Sequence, residues 1–112
     1  MDGNTFYLQG RTLLNEKKFQ DSVFSFLKSA LFFKKCNRTD RILPILNNIK
    51  RALNNCEKEK ITQLDDVIAE KFDNKDFEDM LNEIESNITS DSLILVRTNE
   101  LKKTYLDKKN YA

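Results

Sequence analysis

A chain of 112 residues that holds two glycines and one proline has little with which to fold a β-strand back on itself. A β fold asks for turn residues after every strand. Gly3, Gly10 and Pro44 cannot supply them, so the apolar residues are read at helical spacing. They then fall into five or six segments of an all-α helical bundle. The first, about residues 4–15, carries Phe6, Gly10, Leu13 and Leu14 on one face. The second, about residues 20–36, carries Val23, Phe26, Leu27, Ala30 and Phe33. A third has the cleanest three-four spacing: Ile42, Ile45, Leu46, Ile49, Ala52, Leu53 and Cys56. Thr39 or Asp40 is expected to cap it, and Pro44 costs little if it lies in the first turn.

Further along, Ile61, Leu64, Val67, Ile68 and Phe72 mark a fourth helix. Asp73-Asn74 breaks the pattern and is expected to cap a fifth, with Phe77, Met80, Leu81, Ile84 and Ile88. Ser90 and Asp91 supply another stop and start. The run Leu93, Ile94, Leu95 and Val96 has strand character. Leu101 and Tyr105 follow Ile94 at helical spacing, which favours one helix to about residue 107, with residues 108–112 frayed.

Charge is segregated although its net is +1. Residues 1–60 hold 12 Lys/Arg and 6 Asp/Glu; residues 61–92 hold 2 and 10; residues 93–112 hold 5 and 2. The expected organisation is one domain in three parts: a basic three-helix part to residue 57, acidic helices over 58–92, and a C-terminal helix and tail over 93–112. Three readings of this layout compete. The acidic helices could pack over the basic half and neutralise it. The basic half could recruit an acidic partner. Or the acidic helices could themselves meet a basic one.

Several function classes are disfavoured. Without histidine, the commonest general base is missing, and the common zinc patterns with it. Two isolated glycines make no phosphate loop. Asp65 and Asp66 are adjacent and diverge on a helix; Asp76, Asp79 and Glu83 share a face but suit a solvated charge stripe. The expectation is no enzyme, no cofactor and no metal. No apolar run is long enough for a membrane span, and no secretory or lipidation signal stands at the N-terminus. Location is therefore expected in the cytoplasm or nucleus, where Cys36 and Cys56 stay reduced. Cys56 continues an apolar stripe, whereas Cys36 lies at a helix end.

Residues 6–35 resemble one tetratricopeptide (TPR) repeat. A large residue and a small one four later open it, at Phe6 and Gly10, followed by Leu13. Phe19 stands at the turn, then Ser22, Phe26 and Ser29 or Ala30. Gln9 departs from the preferred aliphatic, Lys34 falls near the usual proline, and 34 residues on no second repeat follows. With the next helix the stretch also looks like a microtubule-interacting-and-transport (MIT) three-helix bundle. Both resemblances imply a helical-hairpin binding module. In the TPR-like reading, Leu8 lies on the face that lines the groove. Phe32 falls on the polar side of its helix, near Ser25, Lys28 and Lys35.

The expected function is thus protein–protein interaction, as an adaptor or complex subunit, receiving an acidic or amphipathic segment in a helical groove. Arg11, Lys28, Lys35 and Arg51 would supply charge, and Leu8 and Phe32 apolar anchors. Self-assembly through the basic and acidic parts is the alternative. So is weak nucleic-acid binding by Lys34, Lys35, Arg38, Arg41, Lys50 and Arg51, against which stands the lack of a reader signature.

Overall fold

The computed structural model describes residues 2–88 and 92–110. Six α-helices follow in order: α1 (Gly3–Asn15), α2 (Phe19–Lys35), α3 (Ile42–Asn55), α4 (Lys58–Lys71), α5 (Phe77–Glu85) and α6 (Ser92–Asn110), with a 3₁₀ turn at Thr39–Arg41 leading into α3. The architecture is an all-α helical bundle, without a strand among the described residues.

Glycine does no turning here. Among the described residues the left-handed positions are Lys17, Asn37, Asp73, Asn74 and Asn87, and four of the five are Asn or Asp, which tolerate that region better than other side chains. Both glycines lie inside α1, where they make room for rings. A Cβ on Gly10 would sit 2.6 Å from the Phe26 ring, and one on Gly3 would sit 2.7 Å from Phe33. The close approach at Gly10 therefore admits an aromatic side chain rather than a second backbone. The Ser29 hydroxyl, buried, donates to the Gly3 carbonyl at 2.8 Å and ties the start of α1 to α2.

The third helix begins differently from the sequence expectation. Neither Thr39 nor Asp40 caps it; both lie in the 3₁₀ turn. The Asp40 carboxylate instead accepts from Arg38 at 3.1 Å. Pro44 lies in the first turn of α3, where its missing N–H is one of those left without an intrahelical partner anyway. The stripe from Ile42 to Cys56 is buried throughout and forms the centre of the core.

Asp73 and Asn74 end α4 as expected, but they form the turn and not the cap. Asp76 caps α5, in a capping box with Asp79. Asp65 of α4 adds a second acceptor, taking the Phe77 N–H at 3.0 Å. Ile88 lies beyond the end of α5 yet stays buried. The expected stop and start at Ser90 and Asp91 falls outside the described residues.

Ser92–Asn110 is one helix, so the strand character of its first residues is overridden. Ile94, Thr98, Leu101 and Tyr105 point inward at three-four spacing. The expected fraying from residue 108 does not hold for the described part. Lys108 donates to the carbonyls of Leu53 and Asn54 at the end of α3, where a cation suits the helix terminus. Lys109 pairs with Asp65 at 2.8 Å. No described helix is long and apolar enough to cross a membrane.

Candidate functional site

α1 packs against α2 along its length and touches α3 along one edge only, which leaves its remaining side to solvent. That side carries Thr5, Leu8, Gln9, Thr12 and Leu13, which line one shallow depression; Leu13, expected on the packing face with Gly10 and Leu14, is only half-buried and belongs to this side as well. Their spacing is that of a helical stripe. None of the five is charged, in a chain where a third of the residues are. Leu8 is 65% exposed, more than any other large apolar side chain described.

The edge shared with α3 is polar. Asn48 of α3, buried, donates through Nδ2 to the Tyr7 hydroxyl at 3.1 Å and to the Pro44 carbonyl at 2.9 Å. This fixes the two helices side by side at one level. Arg11 stands one turn beyond Tyr7, its guanidinium 6.0 Å from the centre of the Tyr7 ring. Arg51 stands one turn beyond Asn48 on α3 and is exposed. At the opposite end, Arg41 lies 5.8 Å over the Phe33 ring. Arg41, Asn4, Tyr7 and Pro44 help line a cavity of about 110 Å³ there.

The far end of the same edge opens into a larger cavity, about 470 Å³, between the α1–α2 and α3–α4 turns. Lys17, Lys18 and Lys60 line it, with Phe19, Asn55 and Cys56 among its other walls. Asp21 and Glu57 supply its acids. Gln20 bridges the two turns by donating to the Lys60 carbonyl at 3.0 Å. Both α2 and α4 start here without a side-chain cap, so their first N–H groups add positive potential. Burial pushes the Cys56 thiol up, which keeps it protonated and poorly nucleophilic.

The six residues expected to form the groove do not all converge. Leu8 and Arg11 lie together on α1, and Arg51 borders the same edge from α3. Lys28 is turned to the other flank of α1, its ammonium 5.2 Å from the Phe6 ring centre and 4.4 Å from that of Phe24. Phe32 is half-buried against the core, edge-on to Phe33 at 5.9 Å, and borders Gly3. Lys35 is exposed at the end of α2. Sequence reasoning missed Tyr7 and Asn48, and placed Arg41 only in the basic patch of the nucleic-acid alternative. The signal for one of them was present: Asn48 flanks the apolar stripe of α3 beside Ile45 and Ala52, and a buried carboxamide needs a partner.

Elsewhere charges are paired. Lys102 meets Glu85 at 3.0 Å, Lys75 meets Glu83 at 2.8 Å, and Lys50 meets Glu100 at 3.3 Å. Lys34 donates to the Glu83 carbonyl and the Ser86 hydroxyl. Among the described residues no ion pair joins α4 or α5 to α1, α2 or α3. Asp65 and Glu85 of the acidic helices are thus paired from α6 and Glu83 from Lys75, and the cations of the first three helices have no carboxylate partner on α4 or α5 among the described residues.

No family model, curated protein or solved structure matches this chain. The TPR-like reading rests on the residues of the hairpin alone, and the MIT-like reading on the hairpin with the next helix.

Proposed function

We propose that this chain is a protein-interaction module, an adaptor or a subunit of an assembly, built on a TPR-like or MIT-like hairpin. It receives an amphipathic segment of another protein along α1. What carries the reading is the outer stripe of α1: five uncharged residues centred on an exposed leucine, on a helix that has neighbours on one side only. A surface helix without a charged outer face is a face built to be covered. Binding there needs no catalytic group, which suits a chain without histidine.

The test is capture from a native lysate with the wild type beside Leu8→Asp, once circular dichroism has shown both to be equally helical. Leu8 is exposed, so the substitution spares the core. A specific protein retained by the wild type and lost with Leu8→Asp is the expected result. The same proteins held by both would remove α1 from the interface. Phe32→Ala is not a clean probe of this surface, because that ring also packs beside Phe33 and Gly3.

A further inference from the structure

Among the described residues the seam between α1 and α3 is lined by cations, carboxamides and the Tyr7 hydroxyl, with Asp2, the cap of α1, at one end. Asn4, Tyr7 and Arg11 follow one another along the α1 edge; Arg41 of the 3₁₀ turn, then Asn48 and Arg51 of α3, follow on the other side. Eighteen of the 112 residues are Asp or Glu; at the two ends of the seam Asp2 is held by Thr5, and Asp21 lines the larger cavity beside Glu57. Asp40 is held by Arg38. The 13 residues of α1 give the seam a length of about 20 Å. An extended chain of about six residues spans that distance.

Resting on the binding-module reading above, we propose that this seam binds an acidic peptide segment in extended form. Its carboxylates meet Arg41 at one end and Arg11 with Arg51 about three turns of α3 further on. The larger cavity, where Lys17, Lys18 and Lys60 outnumber Asp21 and Glu57, takes the continuation of the segment. Two of the three guanidiniums are already placed over rings, Arg11 on Tyr7 and Arg41 on Phe33, which lowers the entropy lost when they are fixed by a ligand. Leu8 lies one turn before Arg11, in reach of an apolar residue of the same segment. An acidic peptide fits better than a nucleic acid because the seam is short and residues 61–92 carry 10 Asp/Glu against 2 Lys/Arg. A long polyanion leaving the seam would run along that acidic surface and be repelled.

The probe is a fluorescein-labelled peptide of about eight alternating Asp and Glu residues, followed by fluorescence anisotropy at low salt. Its controls are the Asn/Gln peptide of the same length and a labelled uridine oligonucleotide. The acidic peptide should bind, and the Asn/Gln peptide should not. Arg11→Glu with Arg51→Glu should weaken binding at least about tenfold. The same charge change at exposed Lys71 and Lys103, on α4 and α6, should alter it by less than about twofold. Absence of binding, equal weakening by both pairs of reversals, or tighter binding of the oligonucleotide would each overturn the inference. A partner captured by the wild type and lost with Leu8→Asp, from a protein that ignores the acidic peptide, would leave the module standing and remove its acidic occupant.

Discussion

The first three helices and the last three handle charge in opposite ways. In α4, α5 and α6 the charges answer one another: Lys109 meets Asp65, Lys102 meets Glu85, and Asp65 also takes the first N–H of α5. In the first region three cations lie over aromatic rings, Arg11 on Tyr7, Lys28 on Phe6 and Phe24, and Arg41 of the 3₁₀ turn on Phe33, and its one ion pair to another helix is Lys50 of α3 with Glu100 of α6, among the described residues. A ring attracts a cation without neutralising it. The second region thus spends its polar groups on holding three helices together. The first is held by apolar packing and keeps its positive charge for solvent or a partner. Net charge, at +1, conceals this division.

The strongest way to break the comparison is to empty the first region's core. Phe26 is fully buried between α1 and its own helix. Phe26→Ala should cost about 3–5 kcal/mol in urea denaturation, and a loss under about 1 kcal/mol would show that the ring does not hold the hairpin. In the second region the corresponding change is polar. Asp65→Ala removes the acceptor of the Phe77 N–H and the partner of Lys109, so about 1.5–3 kcal/mol should be lost in the same titration. Gly10→Ala comes next. The added methyl meets the Phe26 ring, which overpacking values put at about 1–3 kcal/mol, less the roughly 1 kcal/mol that alanine gains as a helix former. A stabilised Gly10→Ala protein would mean that the ring gives way freely.

Acid sharpens the contrast. Burial raises the Asp65 pKa, but the Lys109 ammonium and the Phe77 N–H more than offset it, and the value falls below the ordinary 3.8. Glu85 is likewise pushed up by burial and brought down further by Thr98 and Lys102, to below its ordinary 4.5. A carboxylate with a depressed folded-state pKa stabilises the fold above its unfolded value and loses that contribution as pH falls through the folded one. The Asp2 and Asp40 carboxyls of the first region are lowered too, by hydrogen bonds from Thr5 and Arg38, but both are exposed and so contribute less. Amide exchange should therefore rise first in α4–α6 as pH drops through the acid range, with α1–α3 following; the reverse order would contradict the division of labour. The smallest effect belongs to Lys75→Ala, whose ion pair with Glu83 is exposed. Its unfolding midpoint should stay within error of the wild type, because exposed pairs contribute little.

Much of the fold was legible in the chain because helical periodicity is a local property. The α3 stripe, the buried Cys56 and the exposed Cys36 all follow from spacing and helix ends. The misses share a cause. Asp73-Asn74 and Thr39 or Asp40 have the chemistry of caps, but capping also depends on backbone angles and on which donor faces which acceptor. Asp40 was taken by Arg38, and α5 found Asp76. The fraying assigned to residues 108–112 failed for Lys108 and Lys109 because their partners lie on α3 and α4, more than 40 residues away.

The candidate site divides along the same line. Composition and spacing alone determined an all-α bundle, a basic first half and an exposed Leu8, because each depends on residue type and on the 100° step of a helix. Only the tertiary structure decided that α6 covers the acidic helices. It also decided that Phe32 is a packing residue, and that Tyr7 and Asn48 join α1 to α3 so that Arg11 and Arg51 border one seam. Those facts depend on which helix edges meet. That choice is made by side chains far apart in sequence, filling one core and pairing their buried polar groups, and no local window of the chain contains it.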